Sequence, residues 1–125
     1  MPLGRERLDS RERLRRRSDF QTIYQQGRSI HGRFQVLFYL TGDQIERKIA
    51  FVASRRVGPA VRRNRAKRLL REAYRRLQAA VIRNARLIFV ARPECADASS
   101  DEVRSETKRM LADAGLLRHG DEPAS

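Results

Sequence analysis

Nothing in this 125-residue chain is apolar for long enough to cross a bilayer. Its longest nearly uncharged apolar stretches, Phe34 to Leu40 and Ile49 to Ser54, fall far short of the ~20 residues a spanning helix needs. The N-terminus alternates arginine with acid and lacks an apolar h-region, so no secretory signal is expected. The single cysteine, Cys95, excludes an internal disulfide and fits a reducing compartment, which makes the cytoplasm the expected location. Cys95 also has no second cysteine or nearby histidine with which to form a zinc site. A Gly-rich phosphate loop is missing, which argues against nucleotide hydrolysis. Asp19, Asp43, Glu46 and Glu72 show none of the tight spacing that a metal-dependent phosphodiesterase requires. His31 precedes a glycine in a loop and His119 lies in a tail, so a catalytic histidine pair is not expected either.

Lysine is scarce as well. Of 28 basic residues, all but Lys48, Lys67 and Lys108 are arginine. Arginine offers a planar fork of donors that matches phosphate and stacks on bases, whereas lysine is a point charge. A GC-rich genome would also enrich arginine, so the distribution of charge says more than its kind. The formal net charge is +13, but residues 1–92 hold 24 basic and 7 acidic side chains, a net +17, while residues 93–125 hold 4 and 8, a net −4. A field of that sign attracts polyanions, nucleic acid first and an anionic membrane surface second. The length is that of one domain, and 40% hydrophobic residues can support a core despite 34% charged ones. The expected division is a basic, flexible arm over residues 1–17, a folded domain over 18–117 and a mobile tail over 118–125.

Within the domain, Ser18 with Gln21 reads as a capping box for a short helix. Phe20, Ile23 and Tyr24 form its apolar stripe and Gly27 its end. Period-two alternation from Phe34 to Thr41 puts Phe34, Val36, Phe38 and Leu40 on one well-buried face of a strand. A turn leads to a second strand over 48–54, and the two together suggest a hairpin or meander. After Gly58-Pro59, Ala66, Leu69, Leu70, Ala73, Tyr74, Leu77, Ala80 and Val81 recur at helical spacing over roughly four turns. The continuous apolar run 86–92 reads as a strand covered on both faces. Ser99 with Glu102 caps a last helix that carries Val103, Thr107, Met110, Leu111 and Ala114 and ends at Gly115. This order predicts a single-domain α+β sandwich, α-β-β-(β)-α-β-α.

Opposite the apolar stripe of the long helix, Asn64, Lys67, Arg68, Arg71 and Arg75 fall on one solvent face. Residues 55–76 hold ten basic side chains and one acid, Glu72, whereas solvated faces usually mix signs. That imbalance makes sense if a polyanion neutralises it. A transcription factor would need two short helices joined by a turn, not one long helix.

The run from Ser54 to Tyr74, SRRVGPAVRRNRAKRLLREAY, closely resembles the signature of the bacterial ribonuclease P protein component, with Arg63-Asn64-Arg65, Lys67-Arg68 and Arg71-Glu72 in the same frame. Arg13-Leu14, Asp19-Phe20, Tyr24 and Gly27 resemble that family's first helix, and Ile88 to Pro93 its last strand. The likeness therefore covers roughly residues 12–115. Arg55, Arg56 and Pro59 depart from the residues common there. The resemblance implies a left-handed βαβ crossover, where the general expectation is right-handed. It also implies a subunit of the ribonucleoprotein endonuclease that removes the 5′ leader from precursor tRNA, with the hydrolysis and its Mg²⁺ ions in the RNA subunit and no cofactor bound by the protein. Arg63, Asn64, Arg65, Lys67, Arg68 and Arg71 would face that catalytic RNA, one protein per RNA, with no membrane involved. Phe20, Tyr24 and Phe38 would line a cleft for the single-stranded leader, with Arg16, Arg55 and Arg56 at its edge. Aromatics beside cations suit unstacked bases, and a phosphate-facing helix suits folded RNA. Core packing is an equal alternative for Phe38, and a structural RNA-binding protein of the ribosomal type shares the composition without a role in cleavage.

Overall fold

The computed structural model describes residues 10–118. Helix α1 (Arg17–Gln26) leads into strands β1 (Arg28–His31), β2 (Gln35–Thr41) and β3 (Lys48–Val52). Helix α2 (Ala60–Leu77), strand β4 (Ala85–Ala91) and helix α3 (Ser100–Asp113) follow. The four strands form one mixed sheet in the order β1-β2-β4-β3. The apolar run of β4 occupies an interior position, antiparallel to β2 and parallel to β3, and its Leu87, Ile88 and Phe89 are all buried. The expected hairpin between β2 and β3 does not form, because β4 lies between them. The hairpin is instead β1–β2, with Ile30 opposite Leu37. Strand β1 carries Arg28, Ser29, Ile30 and His31, of which only Ile30 is partly buried, so no alternation marks it in the sequence. The parallel β3–α2–β4 unit is the crossover for which the resemblance implies a left-handed sense.

Helices α2 and α3 cover one face of the sheet and α1 crosses the other. On the α2/α3 side Leu37, Leu87, Phe89, Leu70, Tyr74 and Met110 form the main core. On the α1 side Leu14, Ile23, Ala50 and Ile88 form a smaller buried cluster, Val36 is 9% exposed, and Phe20, Phe38, Leu40, Val52 and Val90 are partly buried. The face of β2 expected to be well buried is thus the half-open one. Leu37 and Gln35, at 0% exposure, point to the opposite face, where Gln35 Nε2 donates to Thr107 Oγ1 of α3 at 2.9 Å. Phe34 precedes the strand and joins the main core, its N–H donating to the buried Glu106 carboxylate at 3.1 Å.

Local punctuation explains most boundaries. Ser99 and Glu102 form the expected capping box of α3, with reciprocal bonds of 2.9 and 3.1 Å, and Gly115 follows in the left-handed region at φ +73°. The box expected at Ser18 is absent: α1 begins two residues earlier than that cap predicts, with Arg16 at the cap position and no side-chain cap. Gly27 does end α1, but its backbone is extended. Glycine is needed there because any Cβ would collide with the carbonyl oxygens of Tyr39 and Ile23.

Residues 10–16, expected within the flexible arm, pack on the outer edge of β3. A 3₁₀ turn spans Ser10–Glu12, Arg13 bridges Ile49, and the Leu14 N–H donates to Ile49 O at 2.8 Å with its side chain 4% exposed. Pairing that edge removes a row of unsatisfied strand groups. Residues 1–9 and 119–125, which include His119 and most of the expected tail, lie outside the described residues.

Candidate nucleic-acid interface

Helix α2 starts after Gly58, whose φ of +131° suits only glycine, with Pro59 at the cap position. It buries Ala66, Leu69, Leu70, Ala73 and Tyr74, so the 3.6-residue period turns the expected RNA-facing residues outward. Asn64, Arg68 and Arg71 are exposed along the crest, and Arg63 and Lys67 are half-buried on the flank. Among the described residues no acid pairs with Arg63, Lys67, Arg68 or Arg71, and the Arg71 guanidinium sits 5.6 Å from the centre of the Phe51 ring. These cations are therefore electrostatically unspent, and Arg71 is seated over an aromatic ring.

Arg65 is turned to the other flank. Its Nε donates to Ala96 O at 2.7 Å, fastening α2 to the 3₁₀ turn Pro93–Asp97. Arg62, which sequence reading passed over, fastens the same turn. It grips Asp97 with two bonds of 2.8 and 3.0 Å and donates from Nε to Val57 O at 3.0 Å. The hydrogen bond from Arg62 holds the Asp97 carboxyl below its usual range. Signature arginines thus split by helical angle into outward cations and internal fasteners, a distinction that only a folded neighbour can reveal.

The three expected cleft aromatics do come together. Tyr24 packs edge-on to Phe38 at 4.8 Å between ring centres and lies 6.4 Å from Phe20. Tyr24 is 43% exposed, and burial of the rest raises its pKa, so the phenol stays neutral. Beside them the sheet face carrying Phe38, Val52 and Val90 is only partly covered. Arg55 and Arg56 are exposed in the 3₁₀ turn just beyond the Val52 end of β3. Arg16 stands apart from them. It lines a hollow with Lys48 and Arg86, the pair at the opposite end of β3, about 13 Å away along the strand.

A smaller cavity, about 280 Å³, joins the two regions around the β3 edge: Phe20 and Phe51 line it together with Lys67 and Arg71. Sequence reading missed Phe51, which alternation marks only as a strand residue. Among the described residues no three His, Cys, Asp or Glu side chains converge to hold a metal, and no helix is long and apolar enough to cross a membrane. Cys95 is fully buried, and burial with the field of Glu106 pushes its thiol up to about 11, which leaves it unreactive.

The chain is similar to known proteins over nearly its whole length. The family described as Ribonuclease P matches residues 8–115. The "Ribonuclease P protein component" of Symbiobacterium thermophilum is 38% identical over 107 residues, 85% of this chain and 93% of that one. The solved RNase P protein of Staphylococcus aureus superimposes with a TM-score of 0.75 at 25% identity, covering 86% of this chain and 98% of that one. The Thermotoga maritima RNase P protein gives 0.71 at 26% identity, covering 82% and 96%.

Proposed function

The chain belongs to the ribonuclease P protein family and is the protein subunit of that RNA-dependent endonuclease, which removes the 5′ leader from precursor tRNA; we propose that it does so through two separate RNA-binding surfaces. Its partner is the ribonuclease P RNA. The alternative left open by composition, a structural protein of the ribosomal type, gains no support from these likenesses.

In our reading the outward face of α2, with Arg63, Asn64, Lys67, Arg68 and Arg71, meets the phosphates of the RNA subunit. Arg65 is a positioning residue that holds α2 against the turn at 93–97. The half-open sheet face beside α1 takes the single-stranded leader, with bases stacking on Phe20, Tyr24 and Phe38 and phosphates meeting Arg55 and Arg56. Stacking is worth about 1–3 kcal/mol per base. Only the precursor carries a leader, so this surface favours substrate over product. Two RNAs repel as they approach, and a protein surface rich in unspent cations does part of the screening otherwise left to Mg²⁺. Hydrolysis, with its Mg²⁺ ions, takes place in the RNA, to which one copy of the protein binds in the cytoplasm.

The observation that carries this reading is the coexistence of an unpaired cationic crest on α2 and a separate, partly exposed aromatic trio on the far side of the sheet. Reconstitution tests it: at low Mg²⁺, adding the protein to the cognate RNA subunit should stimulate cleavage of precursor tRNA. No stimulation would sink the reading.

A further inference from the structure

Residues 10–16 do more than cover the edge of β3. They form one wall of a hollow of about 1130 Å³ at the end of the sheet where β3 starts. Arg47 and Lys48, from the end of the β2–β3 connection and the start of β3, and Arg86 of β4 line it from the other sides. Eight basic side chains face three carboxylates there. Two of those carboxylates are already engaged: Glu12 takes two bonds from Arg47, at 3.0 and 3.1 Å, and Asp19 lies 3.4 Å from Arg86. Lys48 Nζ and Arg15 hydrogen-bond backbone carbonyls, of Arg11 at 2.5 Å and Ser10 at 3.3 Å, which leaves their charge uncancelled. Arg13 and Arg16 are exposed and have no ion pair among the described residues.

The wall is anchored. Arg47, with its side chain only 11% exposed, reaches past Glu12 to donate to the carbonyls of Gln78 and Val81 at 3.0 and 3.2 Å, just beyond α2. Burial works against the Arg47 charge, but the hydrogen bond and field of Glu12 keep its pKa raised. The fold therefore holds like charges together around an open space, which costs repulsion unless a polyanion enters. The hollow also shares Ser10, Glu12, Arg13 and Leu14 with the smaller cavity that Lys67 and Arg71 of α2 line. The two hollows are therefore contiguous around the β3 edge, and basic side chains line both.

We propose that this hollow is a third RNA-binding surface, which takes the phosphodiester backbone of the same RNA subunit that α2 contacts. The proposal rests on the ribonuclease P reading. It moves Arg16 from the leader cleft to the RNA-subunit side, and it gives the segment 10–16 a function beyond packing.

The test is binding of the cognate ribonuclease P RNA, without substrate, across a series of KCl concentrations. The double variant Arg13→Gln, Arg16→Gln should lower the double-logarithmic salt slope by about 1.4–1.8, the amount for two lost phosphate contacts. Arg13→Lys, Arg16→Lys should restore it. The variant Arg104→Gln, Lys108→Gln, which removes the same charge from α3, should leave the slope close to wild type. An unchanged slope in the first variant, or equal losses in the first and the α3 variants, would overturn the proposal. So would intact binding to the RNA subunit with weakened binding to precursor tRNA, which would return the hollow to the leader. Wild-type protein that fails to bind the RNA at all would sink the subunit reading itself, and the two failures are thereby distinguished.

Discussion

The two faces of the sheet are built from the same kinds of residue and closed to different degrees. Under α2 and α3, Leu37, Leu87 and Phe89 are closed off, and Phe89 stacks on Phe51 at 5.6 Å beside Tyr74. Under α1, Phe38, Val52 and Val90 stay partly exposed, because a single ten-residue helix cannot cover a four-stranded sheet. A domain this small gains most of its stability from one core. It can therefore leave the second face unfinished, and an unfinished apolar face rimmed by arginines is what unstacked bases need.

The largest effects should break the closed face. Phe89→Ala should cost about 3–5 kcal/mol in a denaturant titration, and Phe38→Ala on the open face about half as much or less. Equal costs would mean that the open face is core as well. Next, Phe20→Ala should lower the holoenzyme's preference for precursor over mature tRNA roughly 5- to 150-fold, the equivalent of one lost stacked base. Equal loss on both tRNAs would point to misfolding. On α2, Arg65→Ala should lower stability by about 1 kcal/mol, since a charged donor leaves the Ala96 carbonyl at a partly exposed site. It should move the salt dependence of RNA binding less than Arg68→Ala does. The smallest effect concerns the closed core itself. With a pKa of about 11, roughly one Cys95 thiol in a thousand is ionised at pH 8, so alkylation of native protein should be negligible. Rapid labelling would show that the layer under α2 opens.

Where one element's own periodicity determines the outcome, the sequence was legible. The α2 stripe as far as Leu77, the double-sided run of β4 and the Ser99–Glu102 cap stand as read, whereas Ala80 and Val81 fall in and just after a 3₁₀ turn that follows the helix. Legibility ended where partners distant in sequence decide. Strand β1 is polar and exists because β2 pairs with it, and β4 enters between β2 and β3 only once α2 has carried the chain across. The cationic crest could be read from spacing, but Arg62 and Arg65 could not be separated from it without the turn at 93–97. The aromatic trio came from family likeness, since apolar rings at helical spacing (Phe20, Tyr24) or in strand alternation (Phe38) read equally as core. Residues 10–16 looked disordered because their composition is basic, whereas the edge of β3 supplies the order.

The central claim is that this small protein keeps its two RNA partners on separate surfaces. It is tested most directly by a crossed measurement on reconstituted holoenzyme, in which Arg68→Ala and Tyr24→Ala are each assayed for RNA-subunit affinity and for precursor-over-mature discrimination. The account predicts that Arg68→Ala weakens only the first, with a salt slope lower by about 0.7–0.9, and that Tyr24→Ala weakens only the second. Parallel loss of both properties in either variant would contradict it.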